Sequence, residues 1–298
     1  MKMCLGTVQF GMNYGIRRQK QPSFQDVAAM LDYVTQNGID TIDTAYIYGN
    51  AEEVIGFFLK QKTIARDKLS IISKLQPNIL DDKPMEKWSF IMRENLTESL
   101  SRLKLDYIDG YLMHSSRYVF NPYIVECLSK LKKEGLVKNI GVSVYEQAEA
   151  EAAVNSDGID MLQIPYSIFD QRLEKGGFFN SVKLDEKIIF ARSPFLQGLM
   201  LMNEEEIPVN LKKAIPIIRE INEVSKKYGL SRVSLAIHYV KLQSKIDFLV
   251  FGVDNMVQLQ ENIREFAFDP DKDLIMEISK KFKNLEADLV IPSLWHKD

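Results

Sequence analysis

Four residues whose side chains suit proton transfer follow apolar, strand-like runs of this chain. Asp43 and Tyr48 lie in the run TIDTAYIYGNAEE, Lys74 lies near the end of LSIISKL, and His114 ends YIDGYLMH. A phenol has an ordinary pKa of about 10 and is a weak acid at neutral pH. A nearby ammonium group and an orienting imidazole would make it a better proton donor. The combination predicts proton donation to a carbonyl oxygen.

Each of these residues has a simpler interpretation when it is taken alone. Asp43 is then an ordinary carboxylate at a strand end, Tyr48 a packed loop tyrosine, and His114 a structural histidine. Lys74 differs, because a lysine in an apolar strand faces burial and needs a carboxylate partner, which Asp43 on the preceding strand supplies. The catalytic interpretation therefore rests on the four residues together.

Repeated strand and helix patterns supply the elements that position these side chains. Segments of helical periodicity include one from Phe24, closed by Gly38, and one from Asn50, with Glu53 placed for a capping box. Other predicted helices span residues 85–103, 122–134, 211–227, 232–242 and 257–266. The helical signal over 176–186 is weak, and the interval between the last two strands has room for two helices. The eight predicted strands are CLGTVQF, GIDTID, LSIISKL, YIDGYLMH, VKNIGVSV, MLQIPYS, KIIFARSPF and FLVFGV.

Strands that are apolar on both faces and alternate with helices predict a parallel sheet. Eight such units favour an α/β fold of the (β/α)8 TIM barrel type, with residues 1–298 as a single domain. The alternative is a doubly wound open sheet, but LGTVQFGMNYG does not match its G-x-G-x-x-G fingerprint. Active sites of such barrels lie at the C-terminal ends of the strands, where the four residues fall.

Composition argues against several classes of partner. The net charge of -3 and the pI near 5.8 offer no general attraction to nucleic acid. Cys4 and Cys127 match no metal motif, and no histidine-rich cluster has ligand spacing. No apolar stretch approaches the ~18 residues of a membrane span, and the N-terminus has no long apolar region of a signal peptide. We expect a cytoplasmic protein without metal, membrane or nucleic-acid partners; its oligomeric state is not indicated.

From GTVQFG at Gly6 to QENI at Ile263, the sequence resembles the aldo-keto reductase family. The resemblance implies a nicotinamide-dependent enzyme that reduces an aldehyde, ketone or sugar carbonyl, or oxidises the alcohol in reverse. Lys74, held charged by Asp43, would stabilise the phenolate of Tyr48 and make the phenol a better acid. Tyr48 and His114 would contact the carbonyl oxygen while the nicotinamide delivers hydride to the carbon. The family's Asp, Tyr, Lys, His tetrad falls on Asp43, Tyr48, Lys74 and His114.

The resemblance also implies a set of cofactor-binding residues. Ser143 and Gln163 match the groups that bind the nicotinamide carboxamide, and ARSPFLQGL matches a loop that contacts the ring and the pyrophosphate. FGVDNMVQLQENI matches the segment that holds the adenosine phosphate, where barrel geometry also predicts a phosphate at a helix N-terminus. The implied residues are Gly6, Thr7, Ser143, Gln163, Arg192, Ser193, Phe195, Leu196, Gly252, Val253, Asp254, Gln258, Glu261 and Asn262.

Departures from the family pattern concern the cofactor. Arg192 replaces the usual aromatic residue on the nicotinamide, and its planar guanidinium can stack but adds a charge. Val144 replaces the asparagine that often follows the serine. Gly252 and Gln258 stand where basic residues commonly bind the 2'-phosphate of NADP, and Asp254 offers a carboxylate to the ribose 2'-hydroxyl of NAD. Family habit favours NADP(H), with NAD(H) as the alternative.

Two other functions stay open. A regulatory or sensor subunit would bind the cofactor with little turnover, as channel-associated members of the family do, although the intact tetrad argues for catalysis. A Schiff-base aldolase on the same barrel would use Lys74 as its nucleophile. This requires a lowered lysine pKa, which the adjacent Asp43 opposes.

Overall fold

A closed barrel of parallel strands forms the centre of the molecule. The computed structural model describes residues 1–62 and 66–295. In this part of the chain, eight strands pair in sequence order and β1 also pairs with β8, so the predicted (β/α)8 TIM barrel is confirmed and the open sheet is wrong. The strands are Lys2–Gly6 (β1), Thr41–Asp43 (β2), Ser70–Leu75 (β3), Ile108–Met113 (β4), Val137–Ser143 (β5), Met161–Pro165 (β6), Ile188–Arg192 (β7) and Phe248–Gly252 (β8).

Helices surround the barrel, and the interval between β7 and β8 contains two long ones, as predicted. The segment with a weak helical signal holds two short 3-10 helices, Phe178–Asn180 and Val182–Glu186. No helix of the described residues has the length and apolar character needed to cross a membrane. The α-helices are Val8–Gly11 (α1), Phe24–Gln36 (α2), Ala51–Gln61 (α3), Trp88–Leu103 (α4), Pro122–Lys133 (α5), Gln147–Asn155 (α6), Arg172–Lys175 (α7), Ile215–Tyr228 (α8), Arg232–Lys241 (α9), Met256–Ala267 (α10), Lys272–Ser279 (α11) and Ala287–Val290 (α12).

The predicted capping box at the start of α3 is wrong. Asn50 is the N-cap residue, but its side chain accepts no hydrogen bond from the helix. The Oδ1 atom of Asn50 instead accepts a hydrogen bond from Nε2 of Gln21 at 2.8 Å, and the same nitrogen donates to the carbonyl oxygen of Phe10 at 2.7 Å. The side chain that was expected to cap the helix therefore connects the loops that follow β1 and β2.

Close backbone packing holds the loop that carries Tyr48. A Cβ added to Gly11 would lie 1.8 Å from the carbonyl oxygen of Tyr48, and the backbone nitrogen of Asn50 donates to the carbonyl oxygen of Gly11 at 3.3 Å. Gly49 has a φ of 56°, a left-handed conformation that favours glycine. The loops after β1 and β2 thus meet through glycines, and this contact fixes the position of Tyr48.

The barrel interior below the strand ends is filled with side chains. A separate apolar cluster lies inside the barrel, as expected for a packed (β/α)8 core, and consists of Cys4, Ile72, Leu112, Met161, Phe190 and Val250. A larger core lies between the strands and the helices. Because side chains fill the interior, a ligand site must lie outside it, and the candidate residues lie at the C-terminal ends of the strands.

Candidate active site

A buried ion pair joins the ends of β2 and β3, as the sequence predicts. Nζ of Lys74 donates hydrogen bonds to Oδ1 and Oδ2 of Asp43 at 2.7 and 2.8 Å and to the carbonyl oxygen of Thr44 at 2.8 Å. Lys74 is fully buried and Asp43 is 3% exposed. The three bonds use every N–H donor of the ammonium group. None is left for the hydroxyl of Tyr48.

Gln163 and Ser143 extend this network across the barrel. Nε2 of Gln163, in β6, donates to Oδ1 of Asp43 at 2.7 Å, and Oγ of Ser143, in β5, donates to Oε1 of Gln163 at 3.4 Å. Both side chains are buried. The resemblance assigns both residues to the nicotinamide carboxamide. In the structure Gln163 bonds the buried carboxylate of Asp43, and Ser143 bonds Gln163.

Tyr48 lies beside the ion pair with its ring facing the ammonium group. Nζ of Lys74 lies 5.1 Å from the centroid of the Tyr48 ring. Burial raises the pKa of Tyr48 above its ordinary value, the charge of Asp43 raises it further, and the charge of Arg192 opposes both. The phenol therefore keeps its proton at neutral pH. Lys74 acts on the face of the ring instead of through a hydrogen bond to the oxygen.

His114, directly after β4, packs against Tyr48. The two ring centroids are 6.0 Å apart with an interplanar angle of 82°. Burial lowers the pKa of His114 to about 3, with smaller contributions from the positive charges of Lys74 and Arg192. Its Nδ1 atom is buried and has no hydrogen-bond partner among the described residues. The imidazole is therefore neutral at physiological pH, with one N–H donor and one acceptor nitrogen.

Arg192, the last residue of β7, places a positive charge at the same end of the barrel. Its Nη2 donates to the carbonyl oxygen of Val144 at 3.0 Å and its Nη1 to Oγ of Ser193 at 3.3 Å. The guanidinium carbon lies 4.4 Å from the centroid of the Tyr145 ring. Arg192, Tyr145 and Tyr166 line one cleft. Two neutral acceptors and an aromatic face surround the charge.

The segment after β8 forms a second group of predicted residues. The backbone nitrogen of Asp254 donates to Oε1 of Gln258 at 2.8 Å, and Nε2 of Gln258 donates to Oδ2 of Asp254 at 3.3 Å. Burial raises the pKa of Asp254, while Gln258 and Arg17 oppose this shift. Asn255 caps α10 through Oδ1, which accepts from the backbone nitrogen of Gln258. The segment thus presents a carboxylate next to a helix N-terminus.

The end of β8 approaches the loop after β1. A Cβ on Gly252 would lie 2.5 Å from Oε1 of Gln9, an atom that is buried and has no partner among the described residues. Gly6 pairs with both Gly252 and Asp43 in the barrel, and Oγ1 of Thr7 donates to the carbonyl oxygen of Asp43 at 3.0 Å. Gly6 and Thr7 thus lie between the residues around Asp43 and the residues that follow β8.

The other predicted residues lie on the surrounding loop and helix. Phe195 and Leu196 follow Ser193 in a turn with several left-handed residues, and φ is 64° at Ser193 and 49° at Leu196. Val253 is buried after β8, and Glu261 and Asn262 lie on α10. No group of three or more histidine, cysteine or acidic side chains in residues 1–62 and 66–295 is placed to hold a metal ion.

Sequence reasoning missed several residues of this site. Tyr145 directly follows the fifth strand-like run, so the strand-end rule that found His114 also points to it. Thr44 contributes only its backbone carbonyl oxygen. Every residue has this atom, so the residue type could not have indicated it. Gln9 and Tyr14 lie in the loop after β1, and Tyr14 is close enough for the charge of Tyr48 to raise its pKa, although burial is the larger cause.

Known proteins share both the sequence pattern and the fold. A family model described as "Aldo/keto reductase family" matches residues 2–283. The chain is 28% identical over 265 residues to the methylglyoxal reductase DkgA of Salmonella typhimurium, covering 87% of this chain and 85% of that protein. It is 25% identical over 275 residues to the NADH-specific methylglyoxal reductase of Escherichia coli, covering 82% and 84%. A thermostable aldo-keto reductase in complex with the inhibitor epalrestat has a TM-score of 0.68 at 22% identity, covering 93% and 94%, which shows the fold.

Replacing Lys74 with methionine tests the buried ion pair. We expect Lys74→Met to lower the free energy of unfolding by about 3–5 kcal/mol, because Asp43 is left as a buried charge without a cation. The double variant Lys74→Met, Asp43→Asn also removes the buried negative charge and should recover part of the lost free energy of unfolding. Urea unfolding at neutral pH measures both effects.

The exposed pair of Lys2 and Asp40 provides the control for this experiment. Its side chains are 66% and 44% exposed. Lys2→Met should therefore change the free energy of unfolding by less than about 1 kcal/mol. An equal decrease in the free energy of unfolding in Lys74→Met and Lys2→Met would contradict the burial of the pair of Lys74 and Asp43.

The low pKa of His114 makes stability depend on pH. Below about pH 6.5 an unfolded histidine takes up a proton, whereas His114 in the folded chain stays neutral down to about 3. Its contribution is thus complete above about pH 6.5 and is lost as pH falls, by at most about 1.4 kcal/mol per pH unit. His114→Gln should lose less free energy of unfolding than the wild type between about pH 6.5 and 5. Tyr48→Phe keeps the imidazole and should show the wild-type dependence of the free energy of unfolding on pH. Parallel plots of the free energy of unfolding against pH for the wild type and His114→Gln would refute the lowered pKa of His114.

Proposed function

We propose that this chain, which belongs to the aldo/keto reductase family, is a nicotinamide-dependent reductase that converts an aldehyde, ketone or sugar carbonyl to an alcohol. The observation that carries the proposal is the convergence of four side chains from the ends of three strands, β2, β3 and β4. The phenol of Tyr48 lies against the neutral ring of His114, with the ion pair of Lys74 and Asp43 beside it. A carbonyl oxygen placed between the phenol and the imidazole would meet a proton donor and a hydrogen-bond donor.

In this mechanism Tyr48 is the general acid. Its hydroxyl proton passes to the carbonyl oxygen, which takes up the electron pair of the C=O bond. The positive charge of Lys74 at the ring face and the charge of Arg192 stabilise the phenolate that remains. His114, neutral at working pH, donates a hydrogen bond to the same oxygen and orients the carbonyl. When bound, the reduced nicotinamide supplies a hydride to the carbonyl carbon.

Asp43 and Gln163 position these groups. Asp43 holds the ammonium of Lys74 in one place, and Gln163 holds one oxygen of that carboxylate. Gln163 keeps a second amide N–H, and Ser143 keeps acceptor capacity, for the carboxamide of the cofactor. The unpartnered Oε1 of Gln9 beside Gly252 offers a further acceptor at the end of β8. These residues fit a dinucleotide that lies from β5 and β6 towards β8.

The residues expected to bind the adenosine part of the cofactor favour NAD(H), although the resemblance to the family favours NADP(H). Asp254 and Gln258 bond each other where a 2'-phosphate would need cations, and no lysine or arginine occurs in residues 252–263. Arg17, whose charge acts on Asp254, is itself paired with Glu206 at 2.6 Å. A carboxylate accepts a hydrogen bond from a ribose 2'-hydroxyl and repels a phosphate. One of the relatives is named as an NADH-specific methylglyoxal reductase.

The aldolase alternative is disfavoured by the environment of Lys74. A Schiff-base nucleophile needs a neutral amine with a free lone pair. Every N–H of the ammonium is engaged with Asp43 or with the carbonyl oxygen of Thr44. The nitrogen is therefore fully engaged in hydrogen bonds and is not free to attack a carbonyl carbon.

Tyr48→Phe tests the role of the phenol. We expect a loss of kcat/KM for carbonyl reduction of roughly 10²–10⁴-fold, the usual contribution of a general acid. Methylglyoxal belongs in the aldehyde panel, because two relatives are named for its reduction. Cofactor binding, followed by nicotinamide fluorescence, should be nearly unchanged, since only a hydroxyl is removed.

A neighbouring tyrosine provides the control. The hydroxyl of Tyr46 donates to Oε2 of Glu98 on α4 at 2.8 Å, outside the site, so Tyr46→Phe should keep its activity. Equal loss of binding and turnover in Tyr48→Phe would refute its role as acid. Cofactor binding by the wild type without turnover of any carbonyl would support the sensor function.

Asp254→Ser tests the preference for NAD(H). The wild type should bind NADH more tightly than NADPH, and the substitution should tighten NADPH binding by roughly tenfold by removing a charge near the 2'-phosphate. NADH binding should change little in comparison. Fluorescence titration with both dinucleotides measures this. Asp269→Ser, at a fully exposed carboxylate, should leave both dissociation constants unchanged, and tighter NADPH binding by the wild type would show the preference to be wrong.

A further inference from the structure

Arg192 is a half-buried cation without a carboxylate partner. Its acceptors are the carbonyl oxygen of Val144 and the hydroxyl of Ser193, and it forms no ion pair with any residue in 1–62 or 66–295. Arg172 lines the same cleft but is paired with Asp170 at 2.9 Å and with Glu146 at 3.2 Å. The charge of Arg172 is therefore compensated and that of Arg192 is not. A partly buried, uncompensated charge acts strongly on any charged group that binds beside it.

The guanidinium group of Arg192 is held in place. Two hydrogen bonds fix its nitrogens, and the face of the Tyr145 ring lies 4.4 Å from its central carbon. The backbone of Arg192 is fixed as well, because its carbonyl oxygen accepts from the backbone nitrogen of Tyr166 at 3.3 Å. The charge thus stays at the strand ends instead of turning into solvent.

The charged groups directly beside Tyr48 and His114, apart from Arg192, balance one another. The ammonium of Lys74 is matched by the carboxylate of Asp43, and the imidazole of His114 is neutral at physiological pH. Arg192 is near enough that its charge acts on both Tyr48 and His114. Among the described residues beside Tyr48 and His114, the positive charge without a carboxylate partner therefore lies on Arg192, whereas the carboxylate of Asp254 belongs to the group of residues after β8.

We propose that Arg192 makes this site bind the reduced, neutral nicotinamide ring in preference to the oxidised, cationic ring, and thereby favours carbonyl reduction. The inference rests on the proposed function. A hydride donor must lie about 3–3.5 Å from the carbonyl carbon, whose oxygen Tyr48 protonates, and this requirement brings the ring near Arg192. The reaction moves two electrons and a proton as hydride from the ring to the carbon, so the ring gains one positive charge. Arg192 repels that charge, which weakens binding of the oxidised form and promotes its release.

The two redox forms of a dinucleotide isolate this effect. They share the adenine, the riboses and the phosphates, and they differ in the hydride and in the charge of the ring. The ratio of their dissociation constants therefore reports the environment of the ring and needs no knowledge of the substrate. A unit charge within about 10 Å at an effective dielectric constant near 20 corresponds to a change of roughly tenfold in this ratio.

The experiment measures dissociation constants of NADH and NAD⁺, and of NADPH and NADP⁺, by calorimetry. In the wild type the oxidised form should bind at least roughly tenfold more weakly than the reduced form. Arg192→Gln should reduce this ratio by roughly tenfold, Arg192→Met should do the same, and Arg192→Lys should keep most of the wild-type ratio. Arg172→Gln combined with Asp170→Asn, which removes a cation of the same cleft together with its carboxylate partner, should keep the full ratio.

Several outcomes would overturn the inference. An unchanged ratio in both neutral variants, or an equal loss of affinity for both redox forms, would show that Arg192 does not discriminate ring charge. A matching decrease in the ratio of the Arg172→Gln, Asp170→Asn double variant would show that the effect is not specific to Arg192. Binding of neither redox form by the wild type would refute the proposed function together with this inference, whereas equal binding of both forms would refute this inference alone.

Discussion

The buried contact between the ammonium of Lys74 and the carboxylate of Asp43 is the constraint on which the site depends. Charges removed from water need well-formed partners, and here the partners come from β2, β3 and β6 through Asp43, Lys74 and Gln163. The contact commits every N–H donor of the ammonium group and so fixes its position. Tyr48 can then meet the cation only through the face of its ring.

This arrangement determines how charge is distributed around the reaction centre. Burial keeps Tyr48 protonated and His114 neutral, so both rings can donate a hydrogen bond to a carbonyl oxygen. The ion pair contributes little net charge, and Arg192 at the end of β7 carries a positive charge that no carboxylate among the described residues pairs. A phenolate that forms during reduction would be stabilised by this charge, while a cationic nicotinamide ring would be repelled. The charge of Arg192 would thus act on both the proton donor and the hydride donor of the proposed reaction.

The adenosine end of the site shows how little the fold alone decides. Any (β/α)8 barrel offers strand ends and a helix N-terminus beside its last strands. In this chain that position holds the carboxylate of Asp254 and the amide of Gln258, and Arg17, whose charge acts on Asp254, is paired with Glu206. In the proposed function, the preference between NAD(H) and NADP(H) would therefore depend on a few side chains in the loop after β8 and not on the architecture.

The amino-acid sequence was sufficient to predict the fold and the strand ends at which the candidate residues lie. Apolar runs and helical periodicity are local signals, so all eight strands could be predicted, and parallel strands place their C-terminal ends together. The pairing of Lys74 with Asp43 was also predictable, because a lysine in a buried strand needs a carboxylate. Only the tertiary structure decided which hydrogen bonds each side chain forms. Gln163 reaches Asp43 across 120 positions, and Asn50 bonds Gln21 instead of capping α3. Arg192 contacts Val144 and Tyr145 and has no counter-ion in the part of the chain that the structure describes. Such partners depend on distances between residues far apart along the chain, which residue type and spacing do not specify.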